Sequence, residues 1–141
     1  MYLLDTDVLS ELRKRRRNPD VVAWISSVAP TDLFVSTVTV AEIELGIERQ
    51  RKIDPTFAKE LVLWLDLTLR AYGDRILPLT IAIARRWGRL AAQIGNRELD
   101  LAIAATALEH GLTVVTRNVS HFAPTAAPTL DPFAPRPQRK P

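Results

Sequence analysis

Residues 99–116 read LDLAIAATALEHGLTVVT, and this stretch decides the fold class. Its first twelve residues, 99–110, are almost all apolar, which predicts a helix buried on most of its sides. Gly111 follows in the position where helices commonly end. Residues 112–116 then form an apolar run without alternation, which is typical of a strand buried on both faces of a parallel sheet. A helix that leads directly into such a strand indicates a fold built from βα units.

The rest of the chain continues this alternation of strands and helices. Further strands are predicted at residues 2–4, 32–38, 75–79 and 128–133. Further helices are predicted at residues 7–16, 19–28, 40–52, 55–71 and 81–94. The sequence therefore predicts an α/β fold, in which a central, twisted, mostly parallel sheet of four or five short strands carries helices on both faces.

Composition indicates one ordinary globular domain. The chain has 141 residues, of which 47% are hydrophobic and 25% are charged. The longest apolar run, 101–108, is far shorter than the roughly 20 residues of a membrane-spanning helix. An acidic residue at position 5 does not fit a secretory leader, so a cytoplasmic location and no membrane partner are expected. The absence of cysteine excludes disulfides and thiolate metal sites.

Basic residues concentrate in two short segments. The net charge of +3 is carried by Arg136, Arg139 and Lys140 near the C-terminus. We expect a folded domain over residues 1–133 and a proline-rich, basic, disordered tail over residues 134–141. The second segment, RKRRR at 13–17, favours either of two roles. It provides favourable charge at a helix C-terminus, or it forms a patch that faces phosphates.

Acidic residues mark three junctions between a strand and a helix. Asp5 and Asp7 follow the first strand, Glu42 lies near the start of the helix after the second, and Asp100 opens the apolar helix. Parallel sheets bind ligands at the carboxyl ends of their strands, where such junctions meet. We therefore expect these acids to lie close together.

Each acid also fits a structural role. Asp5 or Asp7 would cap the first helix, and Glu42 would complete a capping box with Thr39. Asp100 would cap its helix or interact favourably with the helix dipole. Taken together, however, the acids form the oxygen-rich ligand set that Mg²⁺ and Mn²⁺ prefer. Two carboxylates ~4 Å apart repel by roughly 4 kcal/mol at an effective dielectric of ~20, so a cation is expected between them.

Four segments carry a resemblance to a known family. They are LLDTDVLSEL at 3–12, TVTVAEIELGI at 37–47, DLAIAATALEHGLTVVTRN at 100–118 and LDPF at 130–133. The chain resembles PIN-domain ribonucleases, and within them the VapC-type and FitB-like toxins of toxin–antitoxin pairs. The resemblance spans residues 2–133 and implies a PIN-like nuclease domain.

The resemblance implies a toxic endoribonuclease that depends on Mg²⁺ or Mn²⁺. Asp5, Glu42 and Asp100 would be the catalytic acids and the metal ligands, and a water activated at the metal would attack the phosphorus of RNA. It also implies a homodimer and a cognate antitoxin, with promoter DNA bound only through that antitoxin. Expected supporting residues are Thr6, Asp7, Thr116, Asn118 and His121; expected RNA-facing residues are Arg13, Arg15, Arg16 and Arg117.

One departure from the family pattern lies in the segment TRNVSHF at 116–122. Many relatives carry a further acid there, whereas this chain has none. Asn118 would supply a neutral oxygen, and a protonated His121 would hydrogen-bond a phosphate. Asp7 replaces a more usual asparagine and partly restores the charge. The departure leaves two questions open: whether the site holds one cation or two, and whether the protein is a degenerate PIN-fold protein that binds RNA or antitoxin without cleavage.

Two other enzyme classes share single features with this chain. DTDVL at 5–9 fits the opening motif of haloacid-dehalogenase-type phosphatases, which form an aspartyl-phosphate. Those enzymes also need a lysine and a late acidic pair at strand ends, and no lysine of this chain falls at such a position. A metal-independent ribonuclease needs two histidines as acid and base. Only His110 and His121 are present, and His110 falls at a predicted helix end.

Overall fold

A parallel sheet forms the centre of the molecule. The computed structural model describes residues 1–134. Its strands are β1 (Tyr2–Leu4), β2 (Leu33–Ser36), β3 (Ile76–Leu77), β4 (Thr113–Val115) and β5 (Thr129–Leu130). They pair in parallel in the order β3-β2-β1-β4-β5. The predicted α/β fold with a parallel sheet is confirmed, and the predicted tail, from residue 135 onward, lies outside the described residues.

Helices cover both faces of this sheet. They are α1 (Thr6–Glu11), α2 (Pro19–Ser26), α3 (Thr37–Ile53), α4 (Pro55–Tyr72), α5 (Ile81–Ile94), α6 (Leu99–His110) and α7 (Val119–Phe122). Leu3 and Leu4 of β1 are both fully buried, but they belong to different hydrophobic clusters. Successive strand residues point to opposite faces, so the two clusters lie on the two sides of the sheet. No helix in residues 1–134 is long and apolar enough to cross a membrane.

Helix α6 is the most deeply buried helix and matches its predicted range. Every residue from 101 to 107 is buried, and α6 packs against α5 and β4. Gly111 ends it with a φ of 66°, and its N–H donates to the carbonyl of Ala107. That left-handed conformation is readily available only to a residue without a Cβ. The predicted helix-to-strand unit is therefore confirmed.

The first helix is shorter than predicted. Helix α1 ends at Glu11, five residues before the predicted end at Arg16. The Glu11 carboxylate accepts a hydrogen bond from the backbone N–H of Asn18 at 2.8 Å, which bends the chain back. The Asn18 side chain in turn accepts from the first amides of α2. These contacts override the helical propensity of the arginine-rich segment, so residues 13–17 form a loop.

The capping box predicted at the start of the third helix is wrong. Helix α3 begins at Thr37, and Ser36 caps it by accepting from the N–H of Val38 at 3.0 Å. Thr39 therefore lies inside the helix and is fully buried. Glu42 does not reach back to a cap amide but points towards α1. The predicted strands were also too long, since proline and turn residues shorten β3 and β5 to two residues each.

Candidate active site

Asp5 lies at the centre of the candidate site. It follows β1 directly, caps α1 by accepting from the N–H of Thr6 at 2.7 Å, and is only 4% exposed. Strands β1 and β4 are neighbours, with Leu4 opposite Val115, so the residues after them lie side by side. Thr116 consequently donates its hydroxyl to Oδ2 of Asp5 at 2.8 Å.

Burial makes Asp5 a weaker acid than an ordinary aspartate. Loss of hydration raises the pKa of its carboxyl from 3.8 to about 6, because the charged form is disfavoured away from water. Hydrogen bonds from Thr116 and Thr6 oppose this effect, while the negative charges of Asp100 and Asp7 add to it. Carboxylates that raise one another's pKa repel each other when ionised, and a bound cation would relieve this repulsion.

Thr6 connects Asp5 to Glu42. Its hydroxyl donates to Oε1 of Glu42 at 3.0 Å and lies 3.5 Å from the hydroxyl of Thr39. Partial burial raises the pKa of Glu42, and the charges of Asp5, Asp100 and Asp7 raise it further. Thr39 is a site-lining residue that the sequence reasoning assigned wrongly. Its spacing of three residues from Glu42 places both on one face of α3, and this was the signal that could have identified it.

The segment of residues 116–121, which we call the acid-binding turn, contacts the remaining acids. Asn118 donates its side-chain amide to Oδ2 of Asp7 at 3.2 Å. Nδ1 of His121 lies 3.1 Å from Oδ2 of Asp100. Neither contact was predicted from the sequence. The structure therefore links all eight of the expected catalytic and supporting residues: Asp5, Thr6, Asp7, Glu42, Asp100, Thr116, Asn118 and His121.

Two of the four expected RNA-facing arginines lie near this cluster. The guanidinium of Arg13 lies over the ring of Phe57, at 5.1 Å, and lines a groove of about 270 Å³. Thr6 and Glu42 line the same groove, together with Trp64. Arg13 is thus placed beside the acids.

The other basic residues differ in their surroundings. Arg117 belongs to the acid-binding turn, is exposed, and stacks over the ring of Phe133 at 4.2 Å. Arg15 and Arg16 are exposed on the loop after α1, and the structure does not bring them into contact with the acids. The four arginines therefore do not form one continuous patch with the cluster.

The donor chemistry of the cluster fits a hard divalent cation. Among residues 1–134, no lysine or arginine forms a salt bridge with Asp5, Asp7 or Glu42, so the protein leaves their charge without a basic partner. In the same described part of the chain, no three acidic or imidazole side chains are arranged so that they could hold a metal ion without moving. The acids are neighbours with the right oxygen donors rather than a completed ligand shell.

Comparison with known proteins identifies the family. The PIN domain family matches residues 2–126. The chain belongs to the PIN-domain family. The predicted resemblance is confirmed, and the matched residues include strands β1 to β4 and the whole acid cluster. Relatives within the family are the VapC and FitB toxins of toxin–antitoxin pairs.

Three individual relatives show the extent of the similarity. The VapC ribonuclease Y4jK of Sinorhizobium fredii is 32% identical, over 96% of this PIN chain and 99% of its own length. Toxin FitB of Neisseria gonorrhoeae is also 32% identical, over 94% and 99%. The structure of FitAB bound to an IR36 DNA fragment superposes with a TM-score of 0.73 at 30% identity, covering 99% of this chain and 100% of that one. The similarity thus extends over the full length of each relative.

Proposed function

We propose that this chain is the toxin of a toxin–antitoxin pair and cleaves RNA as a Mg²⁺- or Mn²⁺-dependent endoribonuclease. The observation that carries the proposal is the buried Asp5 carboxylate, which has a raised pKa and no basic partner among the described residues, and whose charge acts on Glu42 as the charge of Asp100 acts on both. Such an arrangement is costly unless a cation offsets the charge. The ribonuclease and toxin relatives support the same activity.

The residues of the site divide into three groups by their proposed roles. Asp5, Glu42 and Asp100 would be the cation ligands, and a bound Mg²⁺ or Mn²⁺ would activate water and offset charge on the phosphate. Thr6 and Thr116 orient the acids through the hydrogen bonds described above. Arginines beside the cluster attract the RNA backbone, and sequence choice would come from unpaired bases near the cut.

Partners follow from the same proposal. A cognate antitoxin would block the acid cluster, and the complex would bind promoter DNA through the antitoxin. The related FitAB structure bound to DNA supports this arrangement. We further propose that the toxin acts as a homodimer in the cytoplasm, where its RNA substrates are located.

Cleavage of RNA under controlled metal conditions tests the proposed function. Antitoxin-free protein is incubated with mixed tRNA and structured RNA in Mn²⁺, in Mg²⁺ and in EDTA. We expect cleavage only with metal, and its loss in Glu42→Gln. Glu44→Gln is the matched control, because Glu44 lies on the same helix but is exposed and is not linked to the cluster.

Each outcome separates the candidate functions. Cleavage in EDTA, or equal cleavage by both glutamine variants, would contradict the proposal. RNA binding without cleavage in any lane would favour the degenerate PIN-fold protein, which is motivated by the absence of a carboxylate in the acid-binding turn. Calorimetric titration with Mn²⁺ completes the distinction, since a degenerate site that has lost its cation would show no binding heat.

A further inference from the structure

The acid-binding turn holds three carboxylates with three side chains that are not themselves acids. Thr116 contacts Asp5 at 2.8 Å, Asn118 contacts Asp7 at 3.2 Å and His121 contacts Asp100 at 3.1 Å. Each of these contacts reaches a different acid, and each uses one oxygen of it. The turn therefore acts on the acids as an orienting element and adds no negative charge to them.

Among the three expected cation ligands of the described structure, Asp100 is the one that accepts no hydrogen bond from Thr6. Asp5 and Glu42 both accept hydrogen bonds from Thr6, on α1. For Asp100, His121 is the single hydrogen-bond partner of the side chain among the described residues. The Asp100 side chain is 24% exposed, so without this contact it would be free to rotate into solvent.

The geometry places the histidine where it can fix this acid. Asp100 lies in the first turn of α6, whose N-cap residue, Glu98, makes no side-chain capping bond. His121 lies on α7, and α7 packs against α6, so both backbones are held. An ionised carboxylate only accepts hydrogen bonds, hence Nδ1 of His121 is the donor. The His121 side chain is 54% exposed and makes no other hydrogen bond in the described structure, while its backbone N–H donates to the carbonyl of Asn118.

We propose that His121 is a positioning residue for Asp100: its Nδ1–H holds Oδ2 of Asp100 and leaves Oδ1 for the divalent cation. This inference rests on the proposed function only in that a cation binds the acid cluster. It gives His121 a role different from the phosphate contact expected from the sequence. Substitution of a residue that hydrogen-bonds to a metal ligand, without contacting the metal, typically weakens metal affinity by about 10- to 100-fold.

Amide substitutions test which ring nitrogen matters. His121→Asn places an N–H₂ group close to the position of Nδ1, whereas His121→Gln places it close to Nε2. His121→Ala removes both, and His110→Ala controls for loss of an exposed histidine elsewhere, at the end of α6. Mn²⁺ affinity is measured by calorimetry on full-length, antitoxin-free protein, and melting temperatures are recorded alongside.

The expected pattern is specific for the Nδ1 contact. We expect His121→Ala and His121→Gln to weaken Mn²⁺ binding by about 10-fold or more. We expect His121→Asn and His110→Ala to stay within about threefold of the wild type. Wild-type affinity in a folded His121→Ala would overturn the proposal, and so would rescue by glutamine rather than asparagine. If the alanine variant does not fold, the asparagine and glutamine pair carries the test.

A metal-free measurement separates this inference from the proposed function. Nitrogen NMR of the imidazole at about pH 8, where a free ring is neutral, reports which nitrogen carries the proton. We expect the Nδ1–H form of His121 in the wild type and its loss in Asp100→Asn. An Nε2–H form in the wild type would overturn the inference. Mn²⁺ binding with the expected variant pattern but without RNA cleavage would leave the inference standing and contradict the ribonuclease.

Discussion

The two ends of helix α1 each carry a buried carboxylate, and the two behave in opposite ways. Asp5 caps the start of the helix, is 4% exposed, and within residues 1–134 its carboxylate is bonded only to a backbone amide and a hydroxyl. Glu11 ends the helix, is 7% exposed, and is paired with Lys14 at 2.7 Å and with the N–H of Asn18. Burial raises the pKa of Asp5 to about 6, whereas the Lys14 hydrogen bond, followed by the Asn18 amide, lowers the pKa of Glu11.

The difference distinguishes a structural acid from one suited to a cation. Glu11 has a positive partner inside the protein, so its charge stabilises the fold at neutral pH. Among the described residues the Asp5 charge has only neutral partners, so it destabilises the metal-free fold at neutral pH. Buried groups with perturbed pKa values and no internal compensation concentrate at functional sites.

The largest expected effect is the loss of activity in Asp5→Asn. We expect cleavage to fall by at least about a thousandfold, because removing a ligand charge forfeits several kcal/mol of charge stabilisation. We expect Glu11→Gln to stay within about threefold of the wild type. Single-turnover cleavage of the same RNA by both variants measures this. Equal losses in the two variants would mean that both ends of α1 serve the fold alone.

The second effect is a pH dependence of stability that comes from Asp5. Because its folded-state pKa lies above the unfolded value, the native state binds more protons between about pH 4 and pH 6. The free energy of unfolding therefore decreases as pH rises through this window, by up to about 3 kcal/mol. Urea unfolding in EDTA at pH 4.5 and pH 7 measures it. Asp5→Asn carries no charge at this position, so we expect it to lack this decrease. At pH 7 it should be about 1–2 kcal/mol more stable than the wild type, because the loss of one hydrogen bond offsets part of the gain.

A pH-independent stability difference between wild type and Asp5→Asn would contradict the contribution assigned to burial. Asp66→Asn is the matched control, because Asp66 is exposed on α4. We expect its stability to follow the wild type at both pH values.

The third effect is stabilisation of the wild type by the cation itself. Mn²⁺ at about 100 times its dissociation constant raises the free energy of unfolding by about 2.7 kcal/mol, and EDTA removes the gain. For a chain of this size the melting temperature should rise by roughly 5–10 °C. We expect Glu11→Gln to show the full rise and Asp5→Asn to show little. An equal rise in both variants would place the cation away from Asp5.

The sequence predicted those features that depend on chain pattern and sheet topology. The buried helix and strand of residues 99–116 were readable because hydrophobic periodicity and Gly111 agree. Asp5 and Glu42 could be grouped because they follow parallel strands, whose carboxyl ends meet at one edge of the sheet. Asp100 joins them because it opens the helix that runs back to the start of β4. Contacts between side chains that are separated along the chain leave no such pattern in the sequence. The Glu11–Asn18 bond that ends α1 early, and the contact of His121 with Asp100, depend on packing that periodicity does not encode.

The smallest effect is expected at the structural end of α1, in Glu11→Gln. Glutamine keeps an oxygen for the N–H of Asn18 but loses its charge, so the free energy of unfolding at pH 7 should fall by about 1 kcal/mol. Because the pKa of Glu11 is lowered, its contribution to the free energy of unfolding is present at neutral pH. This contribution is lost as pH falls below the usual range of a glutamate. The difference between wild type and Glu11→Gln should therefore shrink towards pH 3, measured by urea unfolding. Asp5 and Glu11 would then give stability contributions of opposite slope from the two ends of one helix, and a difference that grows on acidification would show that Lys14 and Asn18 do not stabilise the Glu11 charge.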